Sequence, residues 1–454
     1  MHSKQEETPM SQKIVSYNPS NGEVLGELQA ADKVQISEIV QKAKTASAQW
    51  KQVGLEERLE TIQRAYSAAE SSLTSLAELL SKEMGKDIRR STGEVQGTIW
   101  GGPYIANSCL SALRSKNTGG TAIEYGSLGV AVIISPWNYP LAMANNLMVP
   151  ALMAGNSVIW KPSEETPLIA QRFFDIIHKG LPQDLLQIVH GNGEQGRMLV
   201  EDEVNVIGFT GSQATGRDIM AKAAPSLKRL VMELGGNDPM IVMKDADLQA
   251  AAQFAVGSSF ENAGQMCIST ERIYVAEEVA EQFEQYVTAF ASQYRVGPWD
   301  MNGVNIGPII NGQQRSKIIQ HIEDAVEKKA RVLHGGLEHP DHYINPTVLT
   351  GMTTEMRIEQ EETFGPIVCI SRFSDIEEAI NRANSSTYGL GAVVFGDVGA
   401  EEVANRLEAG MIGINQGIGG GGEAPWVGAK QSGFGFHGSA EGHRQFAQVR
   451  VVSR

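Results

Sequence analysis

GVAVIIS at 129–135, closed by Pro136 and followed by SVIWK at 157–161, is the stretch that decides the fold. Its apolar residues follow one another without the alternation of a strand that has one wet face. Val and Ile dominate it, so it reads as a short strand buried on both sides, the habit of parallel sheets. Between the two runs, residues 141–153 are helix-like and break at AGN. Strand, helix and second strand in that order make a βαβ crossover. Downstream, PLIAQRFFDIIHKG (167–180) is the next helix, with Gly180 in a stop position. LLQIVHG (185–191), a helix over 194–200, VNVIGFTGS (204–212) and RLVMELGG (229–236) continue the alternation. Upstream, KVQISEIVQKAKTASAQW (33–50) and then 55–84 repeat apolar residues at helical steps. The strands end in Gly, Ser, Asn or Lys, and ligands in open α/β sheets bind beyond those carboxyl ends.

From about residue 237 the pattern restarts. PMIVMK, a helix over 247–263, RIYV, helices over 277–293 and 312–329, and ARVLHGG predict a second α/β domain. It runs through ETFGPIVCISRF (362–373) and AVVFG to MIGINQG. GGGG at 419–422 is a loop rather than a linker, because patterned sequence flanks it. The tail RQFAQVRVVSR (444–454) alternates like a strand and is expected to pair with another element or another subunit.

The chain has 454 residues, 42 % of them hydrophobic and 20 % charged, enough for two or three domains with a large core. Lys and Arg total 38 against 53 Asp and Glu, a net charge of −15 with no basic patch, which argues against nucleic-acid and anionic-membrane partners. The first residues, MHSKQEETPMSQ, lack the apolar core of a secretory signal, and no apolar run is long enough for a membrane span. Cys109, Cys267 and Cys369 fit no metal or CxxC spacing, so a reducing compartment and a cytoplasmic location are expected. The histidines show no metal-ligand spacing, and no metal site is expected.

Few residues are placed for chemistry. Cys267 lies in FENAGQMCIST, just before a strand. A cysteine is by default a small core hydrophobe; the polar run before it (Glu261, Asn262, Gly264, Gln265) is unusual for core, and a turn there would aim N–H groups at whatever the sulfur holds. Glu233 follows the apolar RLVM, where a carboxylate is costly unless paired or used, or else sits at a wet loop edge. Asn138, between Pro136 and Pro140, is either a turn residue or a rigidly held amide donor. Cys369 in PIVCI reads as core, and Cys109 has no motif around it.

SPWNYP, KPSEETP, GFTGS, ELGGNDP, FENAGQMC and EETFGPI occur in that order across 131–367. That ordered set resembles the aldehyde dehydrogenase superfamily, and the resemblance extends from YNPSNGE (17–23) to GAKQSGFG (428–435). It implies a Rossmann-like NAD-binding domain (1–111 and 127–235), a catalytic domain (236–431) and small oligomerisation strands (112–126 and 446–454). It implies Cys267 as the nucleophile that adds to an aldehyde carbonyl, with Asn138 and the Cys267 N–H as donors to the oxyanion. Hydride transfer then leaves a thioester, hydrolysed with Glu233 as base. Lys161 and Glu164 match positions that hold the adenosine ribose, and a carboxylate at 164 favours NAD over NADP. Phe209, Thr210, Gly211 and Ser212 match the turn at the pyrophosphate, and Gly191 and Gly193 the positions beneath the adenine. Glu362 and Phe364 match contacts to the nicotinamide half, whose floor Pro136 and Trp137 shape. Ser135, Ser163, Thr215 and Leu234 complete the implied cofactor contacts.

The family's substrate-pocket positions fall on Tyr139, Asn146, Met266, Ile268 and Trp426. Asn146 stands where succinic-semialdehyde enzymes resemble one another in carrying an arginine, and where betaine- and aminoaldehyde enzymes carry an aromatic ring. Tyr139 and Trp426 would offer π-faces to a cation, or a plain apolar wall. The expectation is a small neutral or weakly polar aldehyde. Semialdehyde, betaine-aldehyde or aminoaldehyde specificity, and acyl-transfer or esterase activity of the same cysteine, are the alternatives. By the same resemblance the chain forms a homodimer or homotetramer through the hairpin before Asn138 and through its last strand, which can join a neighbour's sheet.

Overall fold

The computed structural model describes residues 12–419 and 423–453. Most of the stretch read for a secretory signal, and Gly420–Gly422 of the glycine run, lie outside the described residues.

The apolar run at 129–135 forms the strand Val130–Ile134, at the heart of a six-stranded sheet. Ser157–Lys161 and Leu186–Ile188 extend that sheet on one side, and Val206–Gly211 and Arg229–Leu234 on the other, all parallel. The chain thus reverses its direction of build between Val130–Ile134 and Val206–Gly211, and the crevice at their carboxyl ends is where such sheets bind ligands. Gly433–Phe434 returns to this sheet as an antiparallel edge against Arg229–Leu234. Val130 through Ile133 and all five residues of Ser157–Lys161 are buried, as an uninterrupted apolar run between two helical layers requires. Of the helices that cover the sheet, Lys33–Trp50 begins with a capping box made by Asp32 and Gln35.

The second sheet has seven strands in the order Arg331–His334, Thr347–Thr350, Ile367–Phe373, Thr270–Ala276, Asp238–Val242, Gly391–Phe395 and Met411–Ile414. All pairs are parallel except the first. Cys369 is core on the third of these strands, and Cys109 is core on the long helix Ile88–Leu113.

A third, three-stranded sheet is built from the hairpin before Asn138 and the tail. The hairpin read from 112 begins later, because the helix Ile88–Leu113 runs on to 113; its strands are Lys116–Thr118 and Thr121–Ser127. The last strand, Ala447–Ser453, takes the first of the two pairings expected for it, antiparallel with Thr121–Ser127 of its own chain. Among the described residues no helix is long and apolar enough to cross a membrane.

Candidate active site

The predicted helix over 247–263 ends at Phe260, and the difference builds the site. Residues Glu261–Gly264 form a short 3₁₀ turn in which Asn262, Ala263 and Gly264 all have positive φ. Two non-glycine residues in the left-handed region are strained, and persist only where the surroundings over-determine them. Gln265 does so here: its side-chain amide donates to the Asn262 carbonyl (3.1 Å) and its Oε1 accepts from the Ile310 N–H (2.9 Å). Gly264 has no room for a side chain, since a Cβ would lie 2.0 Å from the Gly365 carbonyl. The turn delivers Cys267 to the amino end of Thr270–Ala276 in the second sheet, against the carboxyl end of Arg229–Leu234 in the first.

Cys267 donates its S–H to Glu233 Oε1 at 3.1 Å. Glu233 is buried near the end of Arg229–Leu234, and its other oxygen, Oε2, has no hydrogen-bond partner. Burial and the Glu233 carboxylate, with Asp238 and Glu362 nearby, hold the Cys267 thiol pKa well above its ordinary value. The sulfur rests as a thiol with a base in contact. Asn138, also buried, donates its side-chain amide to the Gln265 carbonyl at 3.0 Å, so Gln265 links it to the cysteine turn.

Beneath Asn138 lies a feature that no sequence motif marked. Lys86 is fully buried and donates to the Asn138 carbonyl (2.7 Å) and to Glu94 Oε2 (2.6 Å). Glu94 Oε1 accepts from Leu141 and Ala142, the free N–H groups at the start of the helix Pro140–Met153. Lys86 also sits 3.8 Å from the Tyr139 ring centroid, and the Tyr139 hydroxyl donates to Glu261, which Arg90 grips with two nitrogens. Lys86 lies in the link between the helices Leu73–Met84 and Ile88–Leu113, and a charged residue in such a link normally faces solvent.

Cys267, Asn138 and Glu261 line one cavity of about 450 Å³. Tyr139, Met143, Met266 and Trp426 also line it, as do Leu234, Glu362 and Phe364. Of the expected pocket residues, Asn146 and Ile268 are half-buried outside this lining; on the helix Pro140–Met153 it is Met143 that faces the cavity. Lys86 lies over the Tyr139 ring, and Trp426 stacks on His437 (centroids 6.2 Å apart, 14° between planes).

A second cavity, of about 300 Å³, continues the first and shares with it Pro136, Trp137, Thr210, Gly211 and Ser212. It is lined also by Ser135, Lys161, Ser163, Glu164, Gly193, Phe209 and Thr215. Ser212 caps the helix Gln213–Ala223, its Oγ accepting from the Thr215 N–H, so the helix presents its N-terminus to the groove. The buried Thr210 hydroxyl has no partner there, and a Cβ on Gly211 would fall 2.5 Å from the Phe209 ring. Lys161 Nζ lies 3.5 Å from Glu164 Oε2; burial lowers its pKa and the Glu164 carboxylate counters it. Donors, a helix N-terminus and a Lys–Glu pair along one groove fit a dinucleotide. Gly191 is not part of that groove; it is closed against Gln195, which with Asn192 caps the helix Gly193–Glu201. At the junction, Glu362 accepts from the Gly236 N–H (2.9 Å), while Glu271 accepts from Thr363 and Phe364 and so fixes the loop that carries it. Burial and the adjacent Glu271 carboxylate push the Glu362 pKa up. Among the described residues no cluster of His, Cys, Asp and Glu is arranged to hold a metal.

The chain matches the model of the aldehyde dehydrogenase family over residues 6–452. It is 34 % identical over 453 residues to a 3-sulfolactaldehyde dehydrogenase of Pseudomonas putida, covering 96 % of this chain and 92 % of that protein. It is 33 % identical over 447 residues to an NADP⁺-linked succinate-semialdehyde dehydrogenase of Escherichia coli K12, covering 96 % and 93 %. Its structure superposes on the crystal structure of an aldehyde dehydrogenase from Brucella melitensis biovar abortus 2308 with a TM-score of 0.93 and 34 % identity, over 97 % of this chain and 93 % of that one. A thiol in contact with a carboxylate, opening on a dinucleotide groove, thus sits in a fold and sequence shared along almost the whole chain: this protein belongs to the aldehyde dehydrogenase family and is an NAD(P)-dependent aldehyde dehydrogenase.

Proposed function

We propose that the protein oxidises a small aldehyde without an anionic tail to its carboxylic acid, preferring NAD, with Cys267 as nucleophile, Glu233 as base and Asn138 as oxyanion donor. The contact between the Cys267 S–H and Glu233 Oε1 carries this reading. Because burial keeps the sulfur protonated, attack on the carbonyl needs a base in place, and Glu233 is that base. Its removal of the proton lets Sγ add to the carbonyl carbon, and the amide of Asn138 turns from the Gln265 carbonyl to the new oxyanion. The bound dinucleotide supplies the hydride acceptor. Water then attacks the thioester with Glu233 again as base, releasing the acid and restoring the sulfur.

The preference for NAD rests on Glu164, whose carboxylate accepts from a ribose 2′-hydroxyl and repels a 2′-phosphate. The substrate class rests on the cavity that Cys267 lines. Met143, Met266 and Trp426 are apolar walls, and Glu261 adds a carboxylate to the same lining. Lys317, the one basic residue among the described lining, also lines the neighbouring cavity with Ser163 and Glu164, on the cofactor side. A carboxylate or sulfonate on the substrate would meet Glu261 at like charge, unlike the acidic substrates for which the two relatives are named. For assembly, the sheet of Lys116–Thr118, Thr121–Ser127 and Ala447–Ser453 is the proposed interface of a dimer or tetramer, since Val449 and Val451 are exposed on its outer strand.

The test is NADH formation at 340 nm with NAD and NADP across propanal, benzaldehyde, succinic semialdehyde and betaine aldehyde. Turnover with NAD on an uncharged aldehyde, lost in Cys267→Ala, is the expected result. Full activity in Cys267→Ala, or a preference for succinic semialdehyde, would overturn it.

A further inference from the structure

Glu233 uses one carboxylate oxygen on the sulfur. The other, Oε2, is buried and without a hydrogen-bond partner, and His437 Nε2 lies 3.6 Å from it. The two side chains are 7 % and 4 % exposed, so water does not solvate the gap between them. A buried carboxylate oxygen left without a donor is costly, and a small torsion would bring the imidazole to it. His437 is held for this. Its carbonyl accepts from the Trp426 N–H at 2.8 Å, its ring stacks on the Trp426 ring, and the helix Ser439–Arg444 starts two residues on. Nothing in the reaction as proposed so far uses it.

We propose that His437 is the proton acceptor that resets Glu233 between its two uses. The inference rests on the reading of Cys267 as nucleophile and Glu233 as base. Oxidation of an aldehyde to an ionised acid by water releases two protons per turnover: one leaves the thiol and one the attacking water. Glu233 takes the first and must be a carboxylate again before it takes the second. The terminal torsion of a glutamate is broad and two-fold, so rotation carries the protonated oxygen from the sulfur side to His437. There the O–H bond breaks and an N–H bond forms at Nε2. The positive charge passes to the imidazole, and Glu233 is a carboxylate again. The imidazolium then yields its proton toward solvent, to which its side chain is 7 % exposed. The titratable groups that face His437 are Glu233 on Arg229–Leu234 and His443 on Ser439–Arg444, while Trp426 covers a ring face.

p-Nitrophenyl acetate tests this without any dinucleotide. Attack by Cys267 forms the S–C bond and expels nitrophenolate as a burst; deacylation sets the steady state. In His437→Gln, which hydrogen-bonds but carries no proton at neutral pH, the burst amplitude is expected to stay. The steady-state rate should fall about 10²-fold and the acidic limb of its pH profile should change. The aldehyde KM should stay within about twofold. Imidazole in the buffer should restore part of the turnover of His437→Ala. A steady-state rate in His437→Gln within about twofold of wild type overturns the proposal. So does a loss that appears as raised KM without imidazole rescue, which is what mere support of Trp426 would give. Absence of a burst in the wild type would overturn the reading of Cys267 and this inference together.

Discussion

Replacing Lys86 by Met removes a cation that touches no reacting atom, yet it should damage both stability and turnover. Lys86 and Glu94 are 0 % and 1 % exposed, and the pair is made through one 2.6 Å hydrogen bond. Removing one member of a buried pair costs about 3–5 kcal/mol, because the remaining charge is left uncompensated. The low end applies here, since Glu94 keeps two backbone donors, Leu141 at 3.1 Å and Ala142 at 3.3 Å, at a helix N-terminus. We expect a loss of about 3 kcal/mol in urea unfolding for Lys86→Met. Lys86→Met with Glu94→Gln should recover about 2 kcal/mol relative to the sum of the single losses, as contacting residues do. Turnover should behave differently. Without Lys86, the Asn138 carbonyl keeps the 3.4 Å contact from Asn262 Nδ2, so the amide that meets the oxyanion loses its main brace. A fall in kcat/KM of about 10²-fold is expected in the single variant, and the double variant, folded again, should not regain it. Stability losses that add within about 0.5 kcal/mol would refute the buried-pair argument, and unchanged turnover would refute the brace.

Three further outcomes follow from the site. Titrating the Cys267 thiolate by its ultraviolet absorbance should give a midpoint above the ordinary value of about 8.5. Glu233→Gln should move it down, because a carboxylate 3.1 Å from the sulfur opposes the thiolate; an unmoved midpoint would mean that burial alone raises it. Glu164→Ser should raise kcat/KM with NADP relative to NAD by about tenfold or more, a shift of about 1.4 kcal/mol; an unchanged ratio would remove Glu164 from cofactor choice. Glu261→Leu should improve succinic semialdehyde relative to butanal in paired kcat/KM measurements, with retained dinucleotide binding as the folding control. Equal losses on both substrates would show that Glu261 only anchors Arg90.

The order of strands and helices was legible from residue 129 outward because it depends on local patterns. Apolar runs buried on two faces cannot alternate, and Pro136, Gly180 and the glycines after Arg229–Leu234 stop what precedes them. The ordered motifs likewise placed Cys267, Glu233 and Asn138 beside one another before any coordinates, and the fold expected from them is the one observed. What local pattern could not reach is set by contacts between distant segments. The helix read to 263 breaks at Phe260 because Gln265 ties the turn to Ile310, and no propensity within the helix foretells that bond. Met143 rather than Asn146 faces the cavity because the rotation of Pro140–Met153 about its axis is fixed by Glu94 at its N-terminus. Lys86 under Asn138 and His437 beside Glu233 belong to no motif in the sequence. The sequence by itself determined the order of elements and the family, and singled out Cys267, Glu233 and Asn138, since these lie in short-range patterns. Only the tertiary structure decided which charges are buried against which, since two residues far apart in the chain acquire an interaction energy only when folding removes the water between them.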